Sequence, residues 1–114
     1  MEQDLIAEPQ TDPILDEIVE RLVAAYQPQR IYLFGSKARG DAGPDSDYDL
    51  MVIVNDDAPL DHRRSQLAYR ALRGTATAAD VLVWTRHAFD ARLNLCSSLP
   101  YVIHSEGKLL YGTA

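Results

Sequence analysis

The sequence predicts a small α/β (α+β) protein, a mixed β-sheet with helices packed mainly on one side. Three observations predict it. Apolar residues first recur at helical spacing, three short β-rich runs follow, and a helical pattern separates the second run from the third. The 114 residues suit one hydrophobic core. Residues 1–11 read as a frayed lead-in and residues 12–114 as a single domain.

Taken in order, Asp12-Pro13 reads as an N-cap and the first residue of a helix. Ile14, Leu15, Ile18, Val19, Leu22, Val23 and Tyr26 then give that helix an apolar face, and Pro28 closes it. Arg30–Phe34 (RIYLF) is a strand stopped by Gly35-Ser36. Residues 36–46 are polar, with Gly40, Gly43 and Pro44, and hold a helical turn and a loop at most. Tyr48–Val54 (YDLMVIV) is a second strand, followed by a turn over 55–59. Residues 60–73 are expected as one helix closed by Gly74. Residues 79–84 (ADVLVW) form a third strand, and 85–96 a helix with Phe89, Leu93 and Cys96 inward. A short helix over 99–105, with Pro100 in its first turn, and an edge strand over 108–111 complete the series. Tyr26, Tyr32, Phe34 and Trp84 are expected in the core.

Composition excludes several classes. Hydrophobic content of 46% and charged content of 25% are ordinary for a soluble globular protein. The net charge of −6 makes the surface as a whole unattractive to phosphate backbones, so direct nucleic-acid binding is not expected. A lone cysteine, Cys96, rules out an intrachain disulfide and a thiolate metal cluster, and is expected to be a small buried hydrophobe. His62, His87 and His104 are too scattered for a zinc site. The start, MEQDLIAEPQ, is acidic and has no apolar signal core, and no apolar run reaches the length of a membrane span. A cytoplasmic protein is expected. Arg63, Arg70 and Arg73 recur at helical spacing and read first as a solvated face, second as a docking surface for an acidic partner or nucleotide.

The chemistry concentrates in residues 35–54, GSKARGDAGPDSDYDLMVIV. Side chains at i and i+2 of a strand share a face, roughly 6.5–7 Å apart. Asp47 and Asp49 therefore face one way, and Tyr48 and Leu50 the other, toward the core. Two carboxylates on one face repel unless a cation sits between them, and hard Mg²⁺ does this while sharing its shell with substrate phosphates. Asp80, at the head of the next strand, is the candidate third acid. Three acids are enough to hold two ions about 3.5–4 Å apart. Upstream, Gly35 lets an anion approach the backbone, the Ser36 hydroxyl can donate to it, and Lys37 or Arg39 can offset its charge. Asp41 and Asp45 read as loop or capping residues. The Walker phosphate loop is absent.

GSKARGD, then DSDYDL, then a later strand acid resembles the nucleotidyltransferase signature of the DNA polymerase β superfamily. The match is to its minimal, single-domain nucleotidyltransferases, which are commonly paired as antitoxins with HEPN-domain proteins. The similarity runs from the first helix through EGKLLYG. The resemblance implies a polymerase β-like nucleotidyltransferase core. It implies that Gly35 and Ser36 hold the nucleotide triphosphate with Lys37 and Arg39 beside them. Asp47 and Asp49 would bind two Mg²⁺ ions, with Mn²⁺ as a substitute, and Asp80 would complete the metal site and help activate the attacking hydroxyl. It further implies transfer of AMP from ATP to a hydroxyl, a tyrosine, of a cognate HEPN ribonuclease toxin, and an oligomer or hetero-oligomer with that toxin. Two other readings stand beside this: a small-molecule transferase of the aminoglycoside type, and a non-catalytic antitoxin that only masks its partner. Small-molecule members usually carry an added helical domain around the acceptor. This chain closes soon after its core, which favours a macromolecular acceptor.

Overall fold

In the computed structural model, residues 13–40, 47–75 and 79–112 are described. Helix α1 (Pro13–Tyr26) forms where the apolar spacing predicts it. It buries Leu15, Ile18, Val19, Leu22 and Tyr26, each such aliphatic side chain stabilising the fold by about 1.5–3 kcal/mol. Ile14 departs from the expected inward set and is exposed. The candidate N-cap Asp12 lies outside the described residues.

Strand β1 (Arg30–Phe34) runs into Gly35 and the one-turn helix α2 (Ser36–Arg39). Strand β2 (Tyr48–Val54) is antiparallel to β1. A 3₁₀ turn (Leu60–Arg63) and helix α3 (Ser65–Ala71) then cross to strand β3 (Ala79–Thr85), which lies parallel to β2. The single helix expected over 60–73 is thus two pieces. Arg64 between them is extended, with φ −119° and ψ 145°, and its carbonyl accepts the Tyr26 hydroxyl from α1. Helix α4 (Arg86–Asp90) begins on a cap from the Thr85 side chain and ends far short of residue 96. Cys96, placed beyond that helix, is exposed and not the buried hydrophobe expected. Helix α5 (Leu99–Glu106), capped by Ser98, leads to strand β4 (Lys108–Gly112), which pairs antiparallel with β1 at one edge.

The strand order is β3-β2-β1-β4. Alternation sends Ile31, Leu33, Tyr48, Leu50, Val52 and Val81 to the face covered by α1 and α3, where the larger core lies. Tyr32, Met51 and Ile53 point to the other face, where Phe89 of α4 and Ile103 of α5 form a smaller core. Helices therefore cover both faces, the thicker layer being α1 with α3. Phe34 and Trp84 are half-buried at the margin of the smaller core. Among the described residues no helix is long and apolar enough to cross a membrane.

Candidate active site

The site is assembled by strand direction. β1 ends, and β2 and β3 begin, at the same end of the sheet. Phe34 stands opposite Asp49 in the β1–β2 register, so the Gly35 turn falls beside Asp49. Asp49 in turn stands opposite Asp80 in the parallel β2–β3 register. Neighbouring strands lie about 4.8 Å apart and register partners share a face. The two carboxylates are thus adjacent on the face away from α1. Asp49 is half-buried and Asp80 exposed.

Gly35 has φ +77°, and a Cβ there would lie 2.4 Å from Oδ2 of Asp49. Only a residue without a side chain permits both the left-handed turn and this approach. Asp47 is exposed and stands one residue before β2, not within it. Ser36 and Arg39 are the first and last residues of α2. Lys37 holds its Nζ 4.4 Å from the centroid of the Tyr48 ring, between the two positions Asp47 and Asp49 in sequence. Asp41 and Asp45 lie outside the described residues. The strands thus bring Gly35, Asp49 and Asp80 together, while Lys37 packs on Tyr48, whose ring belongs to the face covered by α1.

The donor set is hard carboxylate oxygen, which suits Mg²⁺ or Mn²⁺ and not zinc. Among the described residues no three His, Cys, Asp or Glu side chains form a group that could hold a metal by themselves. Mg²⁺ is ordinarily held by one or two carboxylates plus substrate phosphates, so the paired Asp49 and Asp80 meet the protein's side of that requirement.

The expected stripe of Arg63, Arg70 and Arg73 is not one helical face. Arg63 lies on the 3₁₀ turn and donates to the carbonyls of Ala58 and Asp56, Arg70 is exposed on α3, and Arg73 follows that helix in a turn. Sequence reasoning passed over Arg64, because its importance depends on the break in the helix and on its position beside β3.

The nucleotidyltransferase domain family matches residues 15–106. A search of curated protein sequences finds no significant match. Among solved structures, a toxin-antitoxin crystallised with AMP-PNP is similar at 27% identity and a TM-score of 0.60, over 86% of this chain and 73% of that one. A MntA-HpeT toxin-antitoxin mutant is similar at 27% identity and a TM-score of 0.59, over 91% of this chain and 75% of that one. A second MntA-HpeT mutant, at 22% identity and a TM-score of 0.54, shares the fold. The chain belongs to the nucleotidyltransferase domain family. Within it, this is a domain of the minimal nucleotidyltransferase type, and its mixed sheet is the polymerase β-like core.

Proposed function

We propose that this nucleotidyltransferase is an antitoxin that transfers AMP from ATP to a hydroxyl, a tyrosine, of a cognate HEPN-type toxin in the cytoplasm. The observation that carries the reading is the in-register pair Asp49 and Asp80 beside the Gly35 turn. The likeness to toxin-antitoxin structures, one with AMP-PNP, supports the partner and the nucleotide.

Gly35 and Ser36 hold the triphosphate at the turn that closes against Asp49. Lys37, and Arg39 beside it in sequence, balance the phosphate charge. Asp47, Asp49 and Asp80 would hold Mg²⁺ together with the substrate phosphates, and the ion would supply charge neutralisation on those phosphates and a lowered pKa at the acceptor hydroxyl. Asp80, the exposed member, takes the acceptor's proton. The acceptor oxygen attacks the α-phosphorus in line. Its bond to phosphorus forms as the bond from the α-phosphorus to the bridging oxygen breaks, and pyrophosphate leaves with that electron pair. Holding triphosphate and acceptor in line is the larger share of the rate gain.

Incubation with Mg²⁺, ATP and the toxin, followed by intact-mass spectrometry, tests the reading. Mass gains in steps of one AMP on the toxin support it. An unmodified toxin that is nonetheless inhibited by Asp49→Ala protein would make masking the better account. Labelling of an aminoglycoside instead would move the acceptor to the small-molecule class.

A further inference from the structure

β3 carries an open edge of the sheet. Among the described residues it pairs only with β2, so its far side offers backbone donors and acceptors to a further strand. A groove of about 420 Å³ follows that edge. One wall is four consecutive β3 residues, Val81 to Trp84, and the other is the helix break at residues 63–66. Consecutive strand residues point to alternate faces, so a groove touching all four follows the backbone edge and not one face. Asp80 is the next residue on the same strand, at the end of the groove nearest Asp49.

The second wall is cationic. Arg63 donates only to backbone carbonyls, which leave its charge standing. Arg64 is exposed, and its backbone is anchored through the Tyr26 hydroxyl. Among the described residues neither guanidinium is paired with a carboxylate. In a chain of net charge −6, this local positive wall selects an acidic occupant.

We propose that the open edge of β3 is a docking rail for the acceptor: an extended acidic segment of a partner protein adds itself as a further strand, with its hydroxyl-bearing residue at the Asp80 end. Main-chain bonding supplies affinity and alternate side chains supply choice. The proposal rests on the transferase reading above. Asp80, Leu82 and Trp84 share one face, while the arginine wall belongs to the side of α3, whose Ala68 and Leu72 pack in the larger core. The hydroxyl and the acidic residue of the segment therefore point to opposite faces and are separated by an odd number of positions. Asp80 and Trp84 are about 13 Å apart along the strand, so that separation is three or five.

The test uses fluorescein-labelled peptides of an alanine, valine and glutamine background, with a central tyrosine and one glutamate placed three, four or five residues away on either side. Anisotropy measures binding to the full chain, and mass spectrometry measures AMP transfer in Mg²⁺ and ATP. On one side of the tyrosine, glutamate at three or five is expected to bind about fivefold tighter than at four, with KM falling and kcat unchanged. Arg64→Glu is expected to abolish that preference and favour lysine at the same positions, while ATP binding by calorimetry stays as it was. Binding that ignores glutamate spacing, or that Arg64→Glu leaves alone, overturns the rail. So does a dimer, seen by light scattering, that excludes the peptides. Spacing-dependent binding without any AMP transfer would instead support the rail and defeat the transferase reading, so the two failures are distinguishable.

Discussion

Gly35 and Asp49 are so close that a Cβ on the glycine would stand 2.4 Å from the aspartate's Oδ2. The contact joins the end of β1 to the start of β2, at the point where the candidate site is built.

Gly35→Ala is therefore expected to act twice. The left-handed turn at φ +77° costs about 1–2 kcal/mol with a side chain present, and thermal melting reads it. At a temperature where the variant is still folded, AMP transfer should fall at least about tenfold, since the Asp49 carboxylate must move. A variant that is less stable but equally active would separate the turn from the chemistry.

Gly112→Ala is the contrasting case. Its φ is +92°, and a Cβ would meet the Gln29 carbonyl oxygen at 2.1 Å, a backbone atom that cannot swing away. A loss of about 2 kcal/mol or more in urea denaturation is expected, with the transfer rate of the remaining folded protein unchanged. Gln29 and Gly112 lie at the opposite end of β1 from Gly35, which is why stability and activity part here.

Asp80→Asn removes one of two like charges in register. Without metal and nucleotide, the melting temperature should hold or rise slightly, because like charges on paired positions destabilise a sheet. Transfer should fall by about a hundredfold or more, the scale of a lost proton acceptor. A large drop in melting temperature would give Asp80 a structural role instead.

Tyr26 ties α1 to the break before α3 through its hydroxyl, which donates to the Arg64 carbonyl. Tyr26→Phe leaves that carbonyl without its donor and should cost about 1 kcal/mol at neutral pH. Burial holds the Tyr26 phenol above its ordinary pKa of 10.0, against smaller opposing effects from the Ala68 backbone and Arg70. The folded state keeps the proton longer than the unfolded one. The resulting stability is fully present below pH 10 and is lost as pH rises through the folded-state value. Urea midpoints of the two proteins should therefore converge above pH 10.

Much of this was legible in the sequence, and for identifiable reasons. β1 and β2 are short apolar runs with hard stops, and the Gly35-Ser36 turn lies beside Asp49 as the motif spacing suggests. The pairing of Asp49 with Asp80 was visible only as an expectation, because a sequence does not say which strands are neighbours or in what register. Arg64 was missed because the helix break it occupies is tied to α1 by the Tyr26 hydroxyl, a contact made across 38 positions of the chain. Cys96 was misplaced because the periodicity that would bury it presumes a helix that stops at Asp90. The open edge of β3 is likewise a property of strand order, not of composition.

The most direct measurement is intact-mass spectrometry of the proposed toxin partner after incubation with wild-type or Asp49→Asn protein, Mg²⁺ and ATP. Gains of one AMP or more are expected with the wild type, with pyrophosphate in equal amount, and no gain with Asp49→Asn at a temperature where that variant is folded. Equal modification by both proteins would contradict the proposed function, because a transferase built on Asp49 and Asp80 cannot lose that carboxylate and keep its activity.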